Sequence, residues 1–504
     1  MKHPYIKLIG IMIAMATFIS CEKFVDYNPK DDFLITDQDY LKTESDYRTM
    51  LVSVYTPLQW INQAVPVSEV ASDNAVAGGE NASDVLGLQQ IDEFTHTSTN
   101  PYLKDIWVSC YEGINRANYM HQYKNLNAAG VAVNFGDKNA LYGEVYFLRA
   151  YYYFTLVKFF GGVPLFTEKR LTLTDSRSIP RSTKEEVYQQ IEADLTEAIN
   201  SLSTSAYQPG RITKYAAQAL LGKVYMYQNK FDQAAPLLES IINAKAFTLV
   251  PKVQDIFLLS GENGPESVFE IQYSNKSPYY NWGGTTRGQG NLHVQQVGIR
   301  GLSGSADMPF APGWSTTLPT QDLAKAYLPG DQRKDATILD IEAYKAANPQ
   351  YNIVYQVAPY KNTGLYSMKY QPRKGQTSGQ LELNYLNNYR IIRYAEVLLL
   401  AAEALNRKSA PNDSQARVYL NEVRARAFGN SSQNITAAGE ALKLAIWNER
   451  RLELAMEGDR FFDLVRTGQA ASVLTGLFSA GKHELFPIPQ DEVNISGLDQ
   501  NPRY

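Results

Sequence analysis

ALLGKVYMYQNKFDQAAPLLESII, residues 219–242, reads as two short helices joined by a tight turn. Tyr225 falls four residues after Leu221 and three after Gly222 on the first, and Phe231 and Ala234 are three apart on the second. Small Gly222 and Ala234 let two helix backbones approach closely, while Tyr225 and Phe231 fill the groove between them. Helical spacing continues on both sides. In STKEEVYQQIEADLTEAINSL (182–202), Val187, Ile191, Leu195, Ala198 and Leu202 form one apolar stripe, and Ser182 with Glu185 makes a capping box at its start. The stretch 139–160 is apolar on several faces, predicts a largely buried helix, and stops at Gly161-Gly162. Further helices are expected at about 44–61, 105–123, 213–229, 231–245, 388–407, 413–427 and 438–457, against few strands, such as SVFEIQY at 267–273.

The five positions in 219–242 match the tetratricopeptide pattern in residue type and spacing. The pairs 388–407/413–427 and 139–160/184–202 look like degenerate copies, and stacked pairs of this kind build a solenoid-like scaffold. Between 274 and 387 periodicity is lost and Gly, Asn, Thr, Pro and Tyr dominate, as in SPYYNWGGTTRGQGN, GWSTTLPT and YQPRKGQTSGQ. A loop-rich excursion of that length is usually functional, the alternative being a decorative insertion. The expected fold class is mainly α: a scaffold of helical pairs over about 35–273 and 388–470, carrying a loop-rich, aromatic-rich ligand-binding excursion.

The 504 residues are 44% hydrophobic and 20% charged with a net charge of −4, which excludes bulk disorder and, with no basic run, argues against nucleic acid. Two cysteines and five scattered histidines leave no disulfide framework and little for a metal site. The 34 tyrosines are about twice the usual share, and tyrosine joins a flat apolar face to a polar tip. Lys2, His3 and Lys7 precede LIGIMIAMATFIS (8–20) and Cys21, a secretory signal too short to span a bilayer. Ser20-Cys21 resembles a bacterial lipobox, which makes Cys21 the expected lipidation site; an ordinary cleavable signal is the alternative. Cys110 then remains as a core thiol.

Six landmarks, in order along almost the whole chain, resemble the SusD/RagB family of Bacteroidetes surface glycan-binding lipoproteins. They are CEKFVDYNP (21–29), LRAYYYFTLVKFFGGVPLFTE (148–168), YLPGDQRKDAT (327–337), RYAEVLLLAAEALN (393–406), IWNERRLELAMEGDRFFDLVRTG (446–468) and LFPIPQDEVNISGLDQNPRY (485–504). The resemblance implies a signal peptide over 1–20 and a single SusD-like domain over 21–504. It also implies a lipid anchor in the outer membrane, capture of an oligosaccharide or polysaccharide, and delivery to a SusC-like TonB-dependent transporter. In 446–468 the charges Glu449, Arg450, Arg451, Glu453, Glu457, Asp459 and Arg460 beside an apolar stripe read as ion pairs, with Arg393, Glu396 and Glu403 in the same role. Glu449 and Glu453 share a helix face, but adjacent arginines hold both ionised, which suits pairing better than proton donation.

No HExxH, Walker loop, nucleophile elbow or metal-spaced His/Cys cluster occurs, so no catalytic residue, metal or cofactor is expected; a structural calcium is left open. His96, His121, His293 and His483 read as surface or turn histidines. A sugar ring needs a flat aromatic under its C–H face and hydrogen-bonding groups at its rim. Tyr279, Tyr280, Asn281 and Trp282 with Arg287 and Gln289 fit best, then Trp314 between Gly and Ser, then Trp60 with Asn62. Asp73 and Asn74 are candidates for the hydroxyl-binding carboxylate and amide. Each aromatic could equally be core packing or a loop plug, and Trp107 and Trp447 are expected in the core. The rival from another class is a surface glycoside hydrolase, which needs two carboxylates facing across a cleft.

Overall fold

A computed structural model describes residues 40–172, 175, 177–277, 287–357, 360–377 and 383–504; the signal segment and Cys21 lie outside the described residues. The longer helices in chain order are α1 (Glu44–Tyr55), α2 (Pro101–Gln122), α3 (Lys138–Phe160), α4 (Lys184–Ser201), α5 (Lys214–Tyr227), α6 (Phe231–Asn243), α7 (Tyr394–Arg407), α8 (Asp413–Phe428) and α9 (Gly439–Leu454). None among the described residues is long and apolar enough to cross a membrane. By chain contacts, 40–47 with 123–135 form a small unit, in which the Tyr47 hydroxyl donates to the Tyr123 carbonyl at 2.9 Å. Residues 48–122 with 136–504 form the body.

The body is built from helical pairs: α3 packs on α4, α5 on α6 and α7 on α8, and the pairs stack through α4 on α5 and α6 on α7. A Cβ at Gly222 would sit 2.7 Å from Leu238 Cδ2, so the glycine sets how closely α5 and α6 approach. Ala234 and Phe231 are buried in that groove as expected, while Tyr225 is only half-buried. The α4 stripe of Val187, Ile191, Leu195, Ala198 and Leu202 is fully inward. Its capping box lies one residue later than expected. Thr183 accepts from the Glu186 N–H and Glu186 accepts from the Thr183 N–H, at 3.2 and 2.7 Å. Ser182 is unavailable because its own N–H reaches the Val163 carbonyl across the chain.

The short strands are β1 (Ala75–Val76), β2 (Ser267–Ile271), β3 (Leu318–Pro319), β4 (Ile338–Asp340), β5 (Leu365–Ser367) and β6 (Tyr389–Arg393), paired antiparallel as β1–β3, β2–β6 and β4–β5. Residues 389–393 therefore leave the expected 388–407 helix; Ile391 and Ile392 suit a strand, and β2 supplies its partner. This β2–β6 ladder joins the two ends of the excursion between the second and third helical pairs. The excursion is more ordered than its composition suggested. Ile299, Met308, Phe310, Leu339, Ile341 and Tyr366 are buried together in a core of their own. Its helices run five to seven residues, as in Leu292–Val297 and Ile341–Ala347, too short to print a period on the sequence.

What joins excursion to scaffold is charge. Arg333 forks onto Asp331 (2.9 and 2.7 Å) and reaches Glu449 at 2.7 Å, which docks the LPGDQR turn on α9. Arg393, at the end of β6, forks onto Glu457 with both bonds at 2.7 Å and reaches Glu266 and Glu453 at 2.7 and 2.9 Å. Lys369 adds a bond to Glu457, and Arg426 of α8 one to Glu453 at 2.6 Å. Burial alone would raise the Glu453 carboxyl, but Arg426, Arg393 and Arg333 hold it well below the usual range. Arg450 on Asp463, and Arg466 on both Asp463 and Glu403, extend the set through the following helix. The C-terminal FPIP segment is buried too: Phe486 N–H donates to the Phe159 carbonyl at 2.7 Å, and Asn501 bridges Phe160 and Phe486.

Two expectations follow. Arg393→Ala leaves Glu266, Glu453 and Glu457 facing one another in the interior, so denaturant titration should show a loss of about 3–5 kcal/mol. The second concerns the histidines, three of which are buried rather than at the surface: His96, His293 and His483 are 3%, 1% and 5% exposed. His293 packs edge-on to Tyr370, and desolvation pushes its imidazole down to about 3. A depressed imidazole keeps the native state neutral while the unfolded chain takes up a proton below pH ~6.5. Stability is therefore lost as pH falls from about 6.5 towards 3. Between pH 7 and 4, the wild-type chain should lose ~3 kcal/mol more than His293→Phe; parallel curves would show that His293 does not titrate in this way.

Candidate functional site

Trp314 is held by backbone. Gly313, Trp314, Ser315 and Thr316 donate their N–H groups to the carbonyls of Ile299, Gln295, Gly298 and Gln296, each at 2.8 Å. The two segments run so close that a Cβ on Gly313 would lie 2.3 Å from Gly298 Cα. The Arg300 guanidinium accentuates the clamp, donating to the Trp314 carbonyl at 3.0 Å while pairing with Asp84 at 2.6 Å. The indole is half-buried and lines a cavity of about 370 Å³ with Gln63, Val85, Pro101, Tyr102, Asp105, Leu292 and Gln296. That volume is within the range of small-ligand sites.

The rim is hydrogen-bonded in series. Gln296 donates to Gln63 at 2.8 Å, Gln63 to Asn62 at 3.2 Å, Asn62 to Asn291 at 2.9 Å, and Asn291 to the Asn387 carbonyl at 2.8 Å. Gln296 Oε1 is buried and accepts no bond among the described residues. Asp105 pairs with Arg287, which also donates to Ser109 Oγ at 2.6 Å. Among the described lining residues Asp105 is the one carboxylate. Among the described residues no three His, Cys, Asp or Glu side chains cluster to hold a metal ion.

Trp60 and Trp314 pack on the same small cluster of Leu292 and Leu383. Trp60 donates its indole N–H to the Gly288 carbonyl at 3.2 Å, and the Arg116 and Arg287 guanidiniums lie 5.3 and 5.6 Å from its ring centroid. The structure thus brings Trp60, Arg287 and Trp314 to one place, with Trp60 stacked by arginine rather than bare. Tyr279, Tyr280, Asn281 and Trp282 lie outside the described residues. Asp73 and Asn74 do not belong to the site. Asp73 is forked by Arg460 (2.7 and 2.9 Å) and paired with Arg451 at 2.9 Å, and Asn74, fully buried, accepts from Arg451 at 3.0 Å. Burial raises the Asp73 carboxyl, yet Arg460 and then Arg451 bring it below its ordinary value. A carboxylate so committed stays an ion-pair partner. Asn62 likewise sits inside the amide series rather than beside Trp60 as a ligand contact. Trp107 and Trp447 are core residues as expected, Trp447 donating to Glu403 at 2.9 Å.

Sequence reasoning missed Tyr102, Asp105, Gln63 and Gln296. A signal for the first two existed: Tyr102, Asp105 and Ser109 fall three and four apart, which puts them on one face of α2. Gln63 and Gln296 had none, since their pairing joins positions 233 apart. Gly313→Ala should force 295–300 and 313–316 apart at a cost of about 1–3 kcal/mol. Thermal melting and a red-shifted, more exposed tryptophan emission would register the displacement of Trp314; an unchanged spectrum and midpoint would contradict the clamp.

Residues 23–226 match the family model described as "Starch-binding associating with outer membrane", and residues 265–482 match that described as "SusD family". SusD-like protein P2 of Formosa agariphila is 27% identical, aligned over 98% of this chain and 99% of that protein. Among solved structures, a "Laminarin binding SusD-like protein" is 35% identical with a TM-score of 0.81, covering 92% of this chain and all of that one. Surface glycan-binding protein A from Bacteroides thetaiotaomicron, in complex with laminarihexaose, is 28% identical with a TM-score of 0.78, covering 91% and 99%. The likeness runs over nearly the whole of this chain and of these relatives, and the chain belongs to the SusD family.

Proposed function

We propose that this protein captures oligosaccharide at the outer face of the outer membrane, tethered there through a lipidated Cys21, and passes it to a SusC-like TonB-dependent transporter. Trp314 carries the reading: a tryptophan whose backbone segment is fixed by four bonds and which lines one cavity with Tyr102, Gln63, Gln296 and Asp105. A rigid aromatic offers its face to the C–H side of a pyranose without paying to order itself, and side-chain amides match hydroxyls that both donate and accept. The 35% identity to a laminarin-binding relative favours a laminarin-type glucan as the substrate class. Binding and release suffice; no bond is broken, and no cofactor takes part. Tyr279, Tyr280, Asn281 and Trp282, shortly before Arg287 in the sequence, are proposed as further contacts.

Calorimetry with laminarihexaose tests the site. Trp314→Ala and Trp282→Ala should each weaken binding by about 1–3 kcal/mol while the melting temperature holds. Unchanged affinity would remove that residue from the site. Prolonged incubation of protein with laminarihexaose should yield no new reducing ends; their appearance would favour the hydrolase.

A further inference from the structure

A second cavity, of about 250 Å³, opens beside Tyr55 and Gln289 and shares no lining residue with the Trp314 cavity. Its walls are mixed. Val52, Leu58 and Ile271 are apolar, while Gln59, Gln208 and Gln289 bring amides to it. Gln208 and Gln289 are exposed, and no hydrogen bond engages the Gln289 side-chain amide among the described residues. Glu270, 2% exposed, also lines the cavity and is compensated from behind by Arg390, whose Nε lies 3.6 Å from its Oε1. The one cation among the described lining residues, Arg211, is turned to Glu144 at 3.5 Å and lies 5.1 Å from the Tyr55 ring centroid. Amides without an uncompensated charge suit a neutral, hydroxyl-rich ring better than an anion.

The two cavities are neighbours along the chain twice over. Gln59 lines this one and Gln63 the other, on consecutive turns either side of Trp60. Gln289 lines this one, while Arg287 holds Asp105 of the other, and Gly288 between them takes the Trp60 indole bond. Positions 287 and 289 cannot be more than about 7 Å apart, so one short stretch of chain serves the Asp105 side of one cavity and the wall of the other.

We propose that the Tyr55–Gln289 cavity is a second saccharide subsite, taking one ring of an oligosaccharide whose other end rests on Trp314. The inference depends on the glycan reading above and adds chain-length selectivity to it: short oligomers occupy one cavity, longer ones both. Val52 is 51% exposed on α1 and lines the cavity, so Val52→Trp fills it without entering the core. Calorimetry on the full chain compares laminaritriose with laminarihexaose. Val52→Trp should raise the hexaose Kd about five- to twentyfold, and the Gln208→Ala/Gln289→Ala pair about three- to tenfold, with the triose within about twofold of wild type. Trp314→Ala should weaken both sugars. Unchanged hexaose affinity in both cavity variants, or equal loss of triose and hexaose, overturns the second subsite while leaving Trp314 in place. Failure of the wild-type chain to bind either sugar overturns the glycan reading and the subsite with it.

Discussion

Buried arginines matched to carboxylates are what the architecture depends on. Arg333, Arg390, Arg393 and Arg450 are among the largest fully buried side chains. Taking such groups out of water is costly unless carboxylates and carbonyls face them, so each arginine constrains several elements at once. Arg393 alone joins β6 to β2 through Glu266 and to the end of α9 through Glu453 and Glu457. A hydrophobic contact tolerates sliding; a forked guanidinium does not. The network therefore sets where the excursion sits on the helical pairs.

That constraint explains how irregular chain can present a precise surface. The excursion is tied at its roots by the β2–β6 ladder and at its middle by the Asp331–Arg333 turn, and it buries a core of its own. On such a base, the Leu292–Val297 helix and the residues just after it clamp the Trp314 segment through backbone bonds. A ligand meeting it loses little to ordering the protein, which suits capture and release better than a site that must fold around its cargo.

Asp73 illustrates how the same residue types divide between frame and site. Carboxylate and amide in a Ser-Asp-Asn run look like sugar ligands on composition, yet Arg451 and Arg460, nearly four hundred residues later, claim both. Asp105 has an arginine too, but at a half-buried position beside the cavity, where Arg287 also faces the Trp60 ring. The histidines divide similarly. Nothing in their neighbours along the chain marked His96 and His483, which end up among Phe94, Phe486 and Tyr504.

Local periodicity was enough to determine the helical pairs, because an apolar stripe at three-and-four spacing and a small residue at the crossing act over one or two turns. Gly222, Ala234 and the α4 stripe are read directly. The dense charges of 446–468 likewise announced ion pairing, though not with whom. The partners, the order within the excursion and the cavity lining were decided only by tertiary structure. Gln63 meets Gln296, and Trp60 meets Gly288, across more than two hundred residues. Contacts of that separation leave no periodic trace, and short elements that owe their existence to neighbours carry no signal of their own.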